Sequence, residues 1–246
     1  MRTFIASIAV AVAVLLFGAG AASAQQVVRM GTEGAYPPYN FINDAGEIDG
    51  FERELGDELC RRANLNCEWV TNDWDSIIPN LVSGNYDTIV AGMSITDERD
   101  AVIDFTQEYY PADPSVYVAL AGADDSVRSG VIAAQTGTIQ AAYIASTSAS
   151  LLEFPTSDET LAAVRRGEAD AVFADNGYLE PFVRESGGEL IFVGDRVSIG
   201  GGVGMGVRES DGDLKAVMDK AIAEMKSDGS LNALIVKWFA DEGLTF

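Results

Sequence analysis

An α/β fold follows from three features of the 246-residue sequence. Short β-branched runs alternate with segments of helical periodicity, which implies parallel sheets covered by helices. Polar stretches, most of them Gly-containing, stand just after several of the strands, where open α/β sheets hold their ligands. Two breaks, Pro111-Ala112-Asp113-Pro114 and Ser198-Ile199-Gly200-Gly201-Gly202, bracket a middle segment of about 85 residues and mark it as inserted into the first.

The first 24 residues read as a secretory signal rather than as fold. Arg2 supplies a positive start, Phe4 to Phe17 is an almost unbroken apolar run, and Ala22-Ser23-Ala24 is a small-x-small cleavage site. That run is short against the roughly 20 residues needed to span a bilayer. With no cysteine just after it, lipid attachment is not expected, and the mature protein is expected to be exported, periplasmic and monomeric. Loss of the single Arg2 takes the net charge from −22 to −23.

The elements then follow in order. Val27 to Met30 predicts a strand, Phe51 to Ala63 a helix with apolar residues at i and i+4, and Cys67 to Val70 a strand. Ile77 to Val82 predicts a short helix and Thr88 to Ala91 a strand. In the middle segment, Val116 to Leu120, Val131 to Ala134, Asp170 to Phe173 and Leu190 to Val193 read as strands, with helices over Thr138 to Ser146 and around Leu161 to Arg166. Val203 to Val207 predicts a further strand. Two helices, Asp213 to Lys226 and Leu231 to Ala240, close the chain around Asp228-Gly229. Cys60 and Cys67 sit at the end of one helix and the start of the next strand; in an exported protein they read as one local disulfide, or else as two buried thiols.

Composition excludes much chemistry. A net charge of −22 argues against a phosphate-backbone partner, which is bound by Lys and Arg. The absence of histidine removes imidazole catalysis and imidazole metal sites, and two cysteines cannot build a four-thiolate centre. No metal and no cofactor is expected.

Four stretches remain that could hold a ligand. Gly31 to Phe41 contains Glu33, Tyr36 and two prolines, and also reads as a plain turn with surface aromatics. In Gly92-Met93-Ser94-Ile95-Thr96-Asp97-Glu98-Arg99, Thr96 or Asp97 can cap a helical turn that projects Arg99 at the strand's end. An arginine there grips a carboxylate through two parallel N–H donors, unless it is spent on Asp97 or Asp100. Gln135-Thr136-Gly137-Thr138-Ile139-Gln140 links a strand to a helix start suited to an anionic group, but lacks the lysine of a phosphate loop. Phe173-Ala174-Asp175-Asn176 places a carboxylate at a strand end, able to hold an ammonium or simply to cap a helix.

In order and spacing these stretches resemble one family over about residues 27–240: the periplasmic solute-binding proteins of amino-acid ABC transporters (family 3), lysine/arginine/ornithine/histidine-type branch. The resemblance rests on Gly31-Thr-Glu-Gly-Ala-Tyr-Pro-Pro-Tyr39, Gly50-Phe51, Ile78-Pro79-x-Leu81 and Tyr86-Asp87. It continues through Gly92-Met-Ser-Ile-Thr-x-x-Arg99, Gln135-Thr-Gly-Thr138, Asp170-Ala-Val-Phe-Ala-Asp175 and Gly204-Met-Gly206. It implies a two-lobed type II clam-shell, each lobe a sheet flanked by helices, joined by two hinge strands. Lobe 1 would take residues 25–112 and 199–246, and lobe 2 residues 113–198. Arg99 would bind an α-carboxylate, aided by backbone N–H groups of Ser94 and of the turn from Gly137 through Thr138 and Ile139 to Gln140. Asp175, the Ser94 hydroxyl and the Gly92 carbonyl would hold the α-ammonium. Tyr36 and Trp74 would sandwich the side chain, Glu33 would meet its far end, and Gln135, Gln140 and Met93 would line the pocket. Trp74 has a second reading as simple core of lobe 1. The resemblance also implies the Cys60–Cys67 disulfide.

The expected function is therefore the substrate-binding component of an importer, taking a basic or polar L-amino acid to ABC transporter membrane subunits without reacting with it. Cation–π and charge attraction between Glu33, the aromatics and a cationic side chain fit that class. Where basic amino-acid binders carry a run of serines, this chain has Ala91-Gly92-Met93, so arginine, lysine, ornithine, histidine, glutamine and an opine all stay open. A cyclohexadienyl dehydratase-like enzyme on the same fold is the reading from another class; the pairing of Arg99 with Asp175 fits a zwitterion better than a diacid.

Overall fold

The structure is a computed structural model that describes residues 27–240 and 243–246; the signal-peptide reading of residues 1–24 lies outside them. β1 (Val27–Thr32) leads into a small antiparallel flap of β2 (Ala35–Tyr36), β3 (Asn40–Ile42) and β4 (Ile48–Asp49). α1 (Phe51–Ala63) returns the chain to β5 (Asn66–Thr71), parallel to β1. α2 (Ile77–Val82) then brings β6 (Thr88–Ile89) to the other side of β1, again parallel, before α3 (Asp97–Asp100) and β7 (Asp104–Phe105).

α1 illustrates how local chemistry sets an element. Its cap, Gly50, has φ 119°, and a Cβ there would stand 2.5 Å from the Tyr39 carbonyl oxygen, so glycine is required. That closeness is used: the first N–H groups of the helix, on Phe51 and Glu52, donate to the Pro38 and Tyr39 carbonyls at 2.9 and 2.8 Å. Phe51, Leu55 and Leu59, four apart, are fully buried along one face, against Met30 of β1. The helix ends on left-handed Asn64, and a disulfide from Cys60 to Cys67 ties its last turn to β5, with the Cα atoms 6.2 Å apart.

The chain then crosses to a second sheet. β8 (Ser115–Leu120), β9 (Val131–Gln135), α4 (Ile139–Ala145), β10 (Ser150–Phe154), α5 (Ser157–Arg166), β11 (Ala171–Asp175), α6 (Asn176–Glu185) and β12 (Leu190–Val197) follow in turn. After a return crossing come β13 (Gly206–Val207), α7 (Gly212–Asp228) and α8 (Ser230–Phe239). The sheet orders are β5-β1-β6-β13-β7 and β10-β9-β11-β8-β12, giving a two-lobed α/β architecture of the type II clam-shell class.

Neither sheet is purely parallel, which corrects the expectation from strand–helix alternation. In each, three parallel strands are joined by antiparallel ones: β13 against β6 and β7, and β8 against β11 and β12. β8 and β13 enter straight from the crossings between lobes rather than through a βαβ unit, so nothing holds them to the parallel direction. The strand expected over Val203 to Val207 is correspondingly short, with Val203 making isolated bridges to Ser94 and Tyr110 instead. The flap, β7, α6 and β10 were not among the elements expected, and α3 is the helical turn expected after Thr96.

The return crossing is sandwiched between two earlier segments. Gly201 N–H donates to the Ile95 carbonyl at 3.0 Å, and Ile95 N–H to that of Gly202 at 2.9 Å. Tyr109 N–H and Val203 N–H pair with Val203 and Tyr110 carbonyls at 2.8 and 2.9 Å. One side of this ladder carries the Gly92–Arg99 loop, so that loop is anchored at the junction of the lobes.

Candidate functional site

The carboxyl ends of β1, β6, β9 and β11 converge on a cavity between the two sheets. β1 delivers the turn bearing Glu33 and Tyr36. β6 delivers Gly92 and Ser94, and α3 sets Arg99. β9 runs into Gln135, Thr138, Ile139 and Gln140, while Asp175 closes β11. Trp74 comes from the turn after β5. Residues far apart in sequence thus meet because each ends a parallel strand of one sheet or the other.

Local caps orient these groups. Thr96, not Asp97, caps α3: its Oγ1 accepts the Arg99 N–H at 3.2 Å. The guanidinium then folds back, donating from Nη1 to the Ser94 carbonyl at 2.8 Å and from Nη2 across the cleft to the Gly137 carbonyl at 3.4 Å. Its carbon lies 5.4 Å from the centre of the Trp74 ring, so Trp74 serves the cavity as well as packing on the Ile77 and Leu81 core. The alternative in which Arg99 is spent on Asp97 or Asp100 finds no contact here among the hydrogen bonds it makes. Thr138 caps α4 through the Ala141 N–H at 3.1 Å. Asp175 occupies the cap position of α6 without a side-chain capping bond, leaving its carboxylate for the cavity.

Two hydrogen-bond chains cross the cleft. Tyr36 donates its hydroxyl to Asp175 Oδ2 at 2.8 Å, and Gln140 donates Nε2 to Asp175 Oδ1 at 2.7 Å and to Ser115 Oγ at 3.0 Å. The Tyr36 ring stacks on Tyr178 with centroids 4.3 Å apart. Gln135 donates Nε2 to Glu33 Oε1 at 2.6 Å and accepts the Ser157 hydroxyl on its own Oε1 at 2.8 Å. Gly92, at φ 60°, adopts the left-handed conformation glycine favours, with Tyr36 packed beside it.

Burial shapes the electrostatics. It pushes the Glu33 carboxyl up to about 7, aided by the charges of Asp73, Asp158 and Glu52, with the Gln135 amide opposing. Burial also raises Asp175, reinforced by the nearby charge of Asp113 and opposed by the Tyr36 hydroxyl and Arg99. The same desolvation brings Arg99 down to about 10 against the pull of Asp175 and Glu98. The cavity therefore holds one cation and two carboxyl groups whose charged forms are disfavoured by burial, an arrangement suited to a ligand that brings charge of both signs.

Of the twelve residues expected to bind, eleven line this cavity. Met93 does not: its side chain is fully buried with Ile77, Tyr86 and Ile89, because it points to the opposite face of its strand-like segment from the Gly92 and Ser94 that flank it. Ala91, Ser157, Thr160, Phe173 and Ala174 line it unforeseen. Phe173 and Ala174 were signalled by adjacency to Asp175. Ser157 and Thr160 lie in a helix start whose capping box, Thr156 with Glu159, explains the sequence without a site. The disulfide formed by Cys60 and Cys67 is remote from the cavity lining.

Comparison with known proteins identifies the family. The family model for bacterial extracellular solute-binding proteins, family 3, matches residues 28–241. A periplasmic His/Glu/Gln/Arg/opine family-binding protein from Silicibacter pomeroyi, solved in complex with lysine, shares 71% identity at a TM-score of 0.86, covering 89% of this chain and 100% of that one. The lysine/arginine/ornithine-binding periplasmic protein of Escherichia coli K12 is 31% identical over 233 residues, 89% of each chain. The histidine-binding periplasmic protein of the same organism is 30% identical over 253 residues, 97% of each. With a family match over nearly the whole described chain, this protein belongs to the bacterial extracellular solute-binding proteins, family 3.

Proposed function

We propose that this protein is the periplasmic receptor of an ABC amino-acid importer and that it binds a basic L-amino acid, lysine or arginine foremost, between its two lobes without chemical change. The single observation that carries the reading is the charge set of the interlobe cavity: Arg99 and Asp175, which feel each other's charge, and Glu33 as a second carboxyl in the same lining. A free amino acid needs a cation for its carboxylate and an anion for its ammonium, and a basic side chain needs one carboxylate more. The 71% identity to a protein solved with lysine supports the same ligand class.

In this reading Arg99 takes the α-carboxylate together with backbone N–H groups of Ser94 and of residues 137–140. Asp175, the Ser94 hydroxyl and the Gly92 carbonyl take the α-ammonium. Trp74 and Tyr36 cover the aliphatic stem, and Glu33, held by Gln135, meets the terminal cation. Lobe 1 comprises residues 25–112 and 199–246 and lobe 2 residues 113–198, closing as contacts form with both at once. Residues 1–24 direct export and are removed, no lipid is attached, and the monomer delivers its ligand to the importer's membrane subunits.

Thermal shift across the twenty amino acids, ornithine, citrulline and opines tests this, using protein stripped of co-purified ligand by unfolding and refolding. At about 100 times its dissociation constant a ligand adds roughly 2.7 kcal/mol of stability. Lysine or arginine is expected to give the largest shift; no shift with any amino acid refutes the reading.

A further inference from the structure

Glu52 is a fully buried carboxylate outside the cavity lining. It stands in the first turn of α1, where the positive end of the helix dipole favours negative charge. Its Oε1 accepts the Gly92 N–H at 2.6 Å and the Tyr109 hydroxyl, and its Oε2 accepts the Asn40 amide at 2.7 Å. Asn40, also fully buried, accepts the Gly34 N–H on its Oδ1 at 2.7 Å. Tyr109 in turn gives its own N–H to the Val203 carbonyl at 2.8 Å, on the return crossing between lobes.

One carboxylate therefore ties three segments that the sequence keeps apart: the Gly92–Ser94 loop, the Glu33–Gly34 turn and the crossing. A leucine would pack in this place without the desolvation cost of a buried charge, so packing alone does not account for the residue. What an apolar side chain cannot do is receive three donors at fixed angles. Gly92 needs such a hold, since glycine at φ 60° has no side chain to fix its peptide planes.

We propose that Glu52 is the positioning residue of the ligand site, fixing the Gly92 backbone directly and the Glu33 turn through Asn40 so that both cationic ends of a basic amino acid are met at once. The inference rests on the amino-acid reading above. Burial pushes the Glu52 carboxyl upward in pKa while Tyr109, Gly92 and Asn40 oppose that shift, so the donors it positions are also those that favour its charged form.

The test measures dissociation constants by calorimetry for two ligand pairs on refolded wild type, Glu52→Gln and Tyr109→Phe. The pairs are lysine with 6-aminohexanoate and arginine with 5-guanidinopentanoate, the second of each lacking only the α-ammonium. Melting temperatures of the ligand-free proteins are recorded alongside. Glu52→Gln is expected to weaken the amino acid by about tenfold or more, the size of a lost charge-assisted hydrogen bond, and its partner less, so that the ratio within the pair shrinks. Tyr109→Phe should shrink it in the same direction by a smaller factor, and it carries the test by itself if the Glu52 variant does not fold. A lower melting temperature with dissociation constants and ratios unchanged makes Glu52 merely structural and overturns the inference. A wild type that binds neither lysine nor arginine overturns the inference, and one that binds no amino acid overturns the reading above as well.

Discussion

The Tyr36 hydroxyl donates to Asp175 Oδ2 at 2.8 Å, joining the turn after β1 to the end of β11 across the cleft between the sheets. The carboxylate proposed to hold a ligand's ammonium thus already has one fixed donor from the opposite lobe and a second from Gln140. Each carboxylate oxygen accepts more than one hydrogen bond, so an incoming ammonium adds to these partners without displacing them.

Tyr36→Phe keeps the stack on Tyr178 and removes only that donor. Affinity for lysine is expected to fall about tenfold, the scale of a hydrogen bond to a charged group. Asp175, already raised by burial, loses an opposing contact, so the pH at which binding fails should move upward. Calorimetry between pH 5 and 8 reads both; identical curves for variant and wild type contradict this role.

Arg99 and Glu33 divide the ligand between them. Arg99→Ala is expected to cost every amino acid a hundredfold or more, because an uncompensated carboxylate is left in a buried site. Glu33→Gln should weaken lysine and arginine by about tenfold or more while leaving glutamine within a few-fold. Parallel losses for glutamine and arginine in the Glu33 variant defeat the side-chain assignment.

The pH dependence of ligand-free stability has a definite sign. Glu33 titrates near 7 in the fold against an ordinary 4.5, so between those values the folded state binds more protons than the unfolded. Stability therefore falls as pH rises from about 4.5 to 7, and the melting temperature should climb on acidification through that range. Below pH 4 it should drop. There the Arg61 and Arg62 hydrogen bonds that hold Glu58 at about 2 are lost, as are the Arg29 and Arg208 contacts that hold Asp87 there against its burial. Affinity for a cationic ligand runs the other way and weakens below pH 7, since it favours ionised Glu33. A Glu33→Gln melting profile as steep as wild type between pH 5 and 7 rules out Glu33 as the source.

The disulfide closes a loop of about eight residues, worth roughly 2.5 kcal/mol by chain entropy. Replacing both Cys60 and Cys67 with serine is expected to lower stability by about that amount in urea unfolding. Lysine affinity should stay within twofold, because the bridge joins the end of α1 to β5 away from the cavity. A large affinity loss in a folded variant means the bridge shapes the site.

The sequence by itself determined the elements with strong period and the ends of strands where polar residues gather. α1 and α2 fall on the residues expected, Phe51–Ala63 and Ile77–Val82, because their apolar spacing and flanking turns are local properties. Ten of the cavity's residues were legible because they lie in short polar stretches immediately after strands, and Trp74 only through the family resemblance. Tertiary structure alone decided the rest. The antiparallel entries of β8 and β13 depend on crossings between lobes, which leave no mark in local periodicity. Met93 falls in the core although its neighbours face the cavity, since which face a residue takes depends on the register of its segment against Gly204 and the crossing. Ser157 reaches Gln135, and Glu52 reaches Gly92, over sequence separations of 22 and 40 that only packed strands and helices bring within hydrogen-bond distance.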